Sequence, residues 1–145
     1  MASSCFTIVP AITSLLASVQ GTPIKYNKSA VLTDNLAGGG ATINSHLVAP
    51  WKPEVISVAG QIENVFFPTY AGKPETAPWS SNNTLFAFFD GVNDVGNPWW
   101  LGVAATDNLN ERIMAVYHGL IDQLYYTGAR NFAFLNVPPV DRSPH

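Results

Sequence analysis

The sequence has a single cysteine, Cys5, among 145 residues. That excludes an internal disulfide and a cysteine-built metal site. Charge is also sparse. Charged residues make up 12% of the chain and the net charge is -3. No cluster of lysine and arginine occurs, so neither nucleic acid nor an anionic membrane is expected as a partner. No run reaches the roughly 18 unbroken apolar residues of a membrane helix. No internal repeat or low-complexity tract is evident, and nothing in the pattern implies a partner chain.

Apolar residues account for 47% of the sequence, enough for a core in one domain. Eleven prolines and eleven glycines add substantial loops. Residues 1–20 read two ways. Cys5 to Val19 is apolar and ends in small residues, as in a signal peptide, yet no basic residue precedes it and Pro10 interrupts it. The alternative is a strand over Phe6-Thr7-Ile8-Val9 that substitutes for a first strand. An aberrant gene start is a third reading. Two glycosylation sequons, at Asn27 and Asn82, favour secretion mildly.

From residue 21 onward the pattern alternates. Ala30-Val31-Leu32-Thr33 reads as a short strand, and Gly38-Gly39-Gly40 follows it. Three glycines in a regular element would cost about 1 kcal/mol each. They imply either a positive-φ turn approached closely by a ligand or a flexible loop. Residues 53–67 carry apolar positions at three- and four-residue steps and predict a helix that starts at Pro53 and stops at Pro68. Residues 85–89 are apolar without a break and predict a parallel strand buried on both faces. Asn108 and Glu111 resemble a capping box for a second helix over residues 108–127, with Gly128 as its stop. Residues 131–137 predict another buried parallel strand, ended by Pro138-Pro139. The order strand, helix, strand, helix, strand predicts an α/β, three-layer domain with a parallel sheet. A finished domain of this kind would close with a helix, so the C-terminus reads as cut short.

In such sheets ligands sit beyond the carboxyl ends of the strands. That places Gly91-Val92-Asn93-Asp94 and the glycine turn at the candidate site. Both offer N–H donors, from the backbone at Gly39 or Gly40 and from the side chain of Asn93. Two such donors aimed at one point make an oxyanion hole for acyl transfer. GxND alone also serves as an ordinary turn. Trp99 and Trp100 lie close by in sequence. They are expected to pack over the core edge, with stacking on a sugar as the sharper alternative.

Gly91-Val92-Asn93-Asp94 resembles the GxND block of the GDSL, or SGNH, hydrolases. Asn35-Leu36-Ala37-Gly38-Gly39-Gly40-Ala41-Thr42 is similar to that family's glycine block. Leu85-Phe86-Ala87-Phe88, Gly128-Ala129-Arg130-Asn131-Phe132 and the run from Asn136 through Pro138, Pro139, Asp141 and Arg142 to Pro144 resemble its fungal branch. That branch contains the secreted acetylesterases of carbohydrate esterase family sixteen. The resemblance implies a partial flavodoxin-like α/β/α sandwich and a secreted hydrolase of acyl esters. It implies acetylated plant-wall oligosaccharides as substrates, and no metal or cofactor. Gly40, with Gly39 as its alternative, and Asn93 would supply the oxyanion hole. Trp99 and Trp100 would bind substrate, and Asp94 would order the turn. The family's Gly-Asp-Ser nucleophile block and its Asp-x-x-His block are both absent. His46, His118 and His145 fit neither motif, and Thr13 or Ser14 would lack a base. The chain therefore reads as an inactive fragment of an esterase. The alternatives are a carbohydrate-binding remnant and a non-functional truncated product.

Overall fold

The computed structural model describes residues 5–12, 30, 31, 34–139 and 142. Thr13, Ser14, Asn27, Leu32, Thr33, Asp141 and His145 lie outside the described residues. The strands are β1 (Cys5–Ile12), β2 (Ala30–Val31), β3 (Asp34–Asn35), β4 (Thr84–Phe89) and β5 (Asn131–Phe134). The sheet order is β2-β1-β4-β5, and β3 also pairs with β1.

The class is α/β, but the sheet is mixed and not parallel throughout. Among the described residues only β4 and β5 run parallel, with Phe86 opposite Phe132 and Phe88 opposite Phe134. β1 lies between β2 and β4 and runs antiparallel to β4, with Cys5 opposite Phe89 and Pro10 opposite Thr84. It is antiparallel to β2 and β3 as well. A parallel neighbour requires a crossover of a dozen or more residues, whereas an antiparallel one does not. The chain consequently leaves β1 beside Thr84, at the end of β4 remote from Asn93.

Helix α1 starts later than the proline suggests. Pro53 sits in a turn closed by the Val55 N–H on the Lys52 carbonyl. The N-cap is Ser57, whose hydroxyl accepts from the Gly60 N–H at 3.3 Å. α1 is α-helical over Val58–Gly60, π-helical over Gln61–Phe66, and α-helical again over Phe67–Thr69. The wider register lets the helix run through Pro68. The Phe67 N–H donates to the carbonyl of Ile62, five residues back, so the ladder is already offset where proline brings no donor.

Helix α2 spans Val92–Gly96, and one 3-10 turn follows at Trp99–Leu101. Helix α3 spans Val103–Tyr126. Asn108 is therefore inside the helix and caps nothing. The periodic signal begins at Leu109 because the first turns lie in solvent, with Val103 81% exposed. Its end follows expectation. Gly128 has φ +107, its N–H donates to the Tyr125 carbonyl, and the Ala129 N–H donates to the Leu124 carbonyl. That pair of bonds is the Schellman arrangement.

Both long helices pack on one face of β4. Phe86 meets Phe66 of α1 at 5.7 Å between ring centroids, and Phe88 meets Tyr117 of α3 at 5.9 Å. Trp79 closes the cluster against Phe86 at 5.4 Å and donates its indole N–H to the Tyr70 carbonyl. β4 is thus not buried on both faces. Thr84, Phe86 and Phe88 are buried while Leu85 is 39% exposed. β5 is shorter than expected and lies at the end of the strand order, with Phe134 half exposed. An unbroken apolar run looks the same whether one face or two is covered.

The alternation in β4 sets an expected contrast in urea unfolding. Phe86→Ala should cost about 3–5 kcal/mol, and Leu85→Ala about 1 kcal/mol or less. Equal losses at the two positions would mean that both faces of β4 are covered.

Candidate functional site

The site is assembled by α2. Gly91 precedes it with φ +96, and a Cβ there would lie 2.9 Å from Val137 Cγ2. Only glycine fits this turn without strain. From α2 and the residue after it, three polar side chains reach the loop that runs from Gly40 to Trp51. Asn93 Nδ2 donates to the Ala41 carbonyl at 2.7 Å. The Asp94 carboxylate accepts the Ile43 N–H with both oxygens, at 3.0 and 3.1 Å. Asn97 Nδ2 donates to the Ala49 carbonyl at 2.9 Å. The same loop feeds α1, since the Thr42 and Ile43 carbonyls accept the N–H groups of Val58 and Ala59. Loop, α1 and α2 therefore form one hydrogen-bonded unit at the carboxyl end of β4.

Asp94 does order structure, but across 51 residues of sequence as well as within its own turn. Gly40 has φ +84, and a Cβ on it would stand 2.6 Å from the Cβ of Trp51. The Trp51 N–H donates to the Gly40 carbonyl at 3.1 Å. The middle of the glycine run is different: Gly39 is exposed, and a Cβ on it would meet nothing within 4 Å. Of the two glycines, Gly40 is the one held beside Asn93, one peptide away from the carbonyl that Asn93 binds.

Trp99 and Trp100 do not pack over the core edge. They are 76% and 68% exposed, on the 3-10 turn that follows α2. His46 is exposed, and its backbone N–H donates to Asn44 Oδ1. His118 is exposed on α3 and lines a cavity together with Asp90 and Tyr117.

One residue of the region belongs to no motif that the sequence singles out. Asp90 is 7% exposed, and among the described residues neither of its oxygens has a hydrogen-bond partner. Burial first, and the nearby Asp94 charge second, push its carboxyl up to about 7. Burial raises Asp94 to about 6 against the opposing pull of the N–H groups it accepts. Burial and then the Asp90 charge raise the Tyr117 hydroxyl above its ordinary range. A signal for Asp90 is nonetheless present in the chain: an aspartate directly after five apolar residues enters the core edge with the strand. Asp90, Asp94 and Tyr117 border a cavity of about 650 Å³ between α2, α3 and residues 134–137. Gly40, Asn93, Trp99 and Trp100 do not line it.

The two aspartates have opposite expected effects. A carboxyl raised from 3.8 to about 7 binds a proton in the native state that the unfolded chain has already lost. Stability contributed by Asp90 therefore falls as pH rises from about 4 to about 7, by up to roughly 4 kcal/mol. Wild type should melt at a higher temperature at pH 5.5 than at pH 8. Asp90→Asn should flatten that slope and raise Tm at pH 8. Asp94→Ala leaves the Ile43 N–H unpaired and should cost about 1–3 kcal/mol at pH 8. Thermal scans at both pH values check this, and a Tm for Asp90→Asn below wild type at pH 8 contradicts it.

No family model matches the chain. No solved structure matches it. It is 46% identical over 120 residues to an acetylesterase of Thermothelomyces thermophilus, an alignment that takes in 83% of this chain. The chain spans 39% of the length of that relative. It is thus similar to part of an esterase.

Proposed function

We propose that the chain carries the oxyanion-stabilising part of an ester hydrolase, with Gly40 and Asn93 as the two donors. The observation that supports this most is the 2.7 Å bond from Asn93 to the Ala41 carbonyl. It fixes the direction of the Asn93 amide beside the positive-φ Gly40 peptide. In ester hydrolysis a nucleophile adds to the acyl carbon and the carbonyl oxygen takes the negative charge. Fixed N–H donors stabilise that oxygen in the tetrahedral intermediate. Collapse then expels the alcohol.

The 46% identity to an acetylesterase supports acyl esters as the substrate class. The glycine and GxND blocks support the GDSL type and its fungal, secreted branch. The exposed Trp99 and Trp100 support acetylated carbohydrate as the alcohol portion. Gly-Asp-Ser and Asp-x-x-His are missing from these residues. On this reading full activity belongs to a longer protein, and this chain alone turns esters over negligibly. Oxyanion donors and binding alone retain about 10³–10⁴-fold over water in hydrolases that lose their triad. A second reading, carbohydrate binding without hydrolysis, draws on the same exposed tryptophans.

Turnover of p-nitrophenyl acetate, with labelling by a serine-reactive fluorophosphonate, tests the first reading. The expected result is negligible turnover and no label. Stoichiometric labelling would show that a nucleophile and base are present after all.

A further inference from the structure

We infer that Trp51 is a substrate-contacting residue of the Gly40–Asn93 site, presenting its indole to a sugar ring in the alcohol portion of the ester. This rests on the ester reading of that site. Trp51 is 44% exposed, although its root is packed tightly. A Cβ on Gly40 would come within 2.6 Å of Trp51 Cβ, 3.4 Å of Cγ and 3.6 Å of Cδ1. The space that a side chain at position 40 would fill is thus taken by the base of the indole. Its backbone N–H is bound to the Gly40 carbonyl at 3.1 Å. The glycine of the candidate donor pair and the indole are consequently held in one rigid arrangement.

A half-exposed tryptophan anchored at its root has area to offer without much rotamer freedom to lose. Lys52 Nζ sits over one face of the indole, 5.5 Å from the ring centroid, so the opposite face is the one left to a ligand. The Asn97–Ala49 bond joins this segment to the one bearing Trp99 and Trp100. Trp51 stands two residues beyond Ala49, and Trp99 two residues beyond Asn97. The indoles thus belong to the two segments that this one hydrogen bond joins. A flat ligand with apolar faces and hydroxyl edges, which is the chemistry of a sugar ring, suits such a border. Trp79 is the contrasting case, 4% exposed with its indole N–H spent on the Tyr70 carbonyl.

The four tryptophans give four indole N–H resonances, assignable by single Trp→Phe variants. The experiment titrates an acetylated xylo-oligosaccharide into the ¹⁵N-labelled full chain. Trp51 and the Gly40 amide are expected to shift together while Trp79 stays fixed. Trp51→Ala keeps the Cβ that abuts Gly40, and it should weaken binding about two- to tenfold. A Gly40 shift without a Trp51 shift overturns the assignment and leaves the ester reading intact. A Trp51 shift without movement at Gly40 or Asn93 overturns the oxyanion reading and, with it, the assignment of Trp51 to that site. Silence at all three overturns both. Unchanged affinity in a folded Trp51→Ala variant also overturns the assignment.

Discussion

The carboxylate of Asp94 holds the Ile43 N–H with both oxygens, deep in the protein and far from it in sequence. The loop from Gly40 to Trp51 takes its position from that contact. Without it, the carbonyls of Thr42 and Ile43 would not be placed to receive the first N–H groups of α1. Asn93 and Asn97 add a bond on each side, so the loop is pinned at three points from one short helix and its cap. A buried carboxylate is costly, and burial does raise the pKa of this one. The cost is offset by bonding to N–H groups that would otherwise be orphaned.

Asp90, four residues earlier, shows the same burial without the bonding. The pair illustrates how little the residue type says by itself. Two aspartates at the end of one strand differ because one meets a peptide N–H and the other is buried without a bonding partner among the described residues, beside a neighbouring negative charge. The Asp94 charge also discourages ionisation of Asp90.

Much of the architecture was legible in the chain. The strand at residues 84–89, the long helix with its glycine stop and the parallel pairing of the last strand follow from apolar patterning and turn chemistry. The turn at Gly91 follows from the same logic. What stayed hidden was non-local. The direction of β1 depends on its partner and not on Phe6-Thr7-Ile8-Val9 itself. The start of α1 is obscured because Pro53 suits a turn as well as a helix, and Ser57 caps without an apolar signal. The early turns of α3 are exposed, so burial periodicity could not mark them. Within the site, Gly40 and Asn93 could be named from their motifs. Trp51 could not, because what singles it out is contact with a glycine that carries no side chain.

The pinning by α2 has a consequence for sequence change. Asn93, Asp94 and Asn97 lie at positions one and four apart, so they share one side of a helix that turns about 100° per residue. Inserting or deleting one residue between Gly91 and Asn97 would swing part of that set away from the loop and break several contacts at once. The stretch between Tyr70 and Trp79, with short-range backbone bonds such as Lys73 to Tyr70 and Ala77 to Pro74, carries no such phase requirement. Length variation should accumulate there, while the segment between Gly91 and Asn97 stays fixed in length even where its side chains drift.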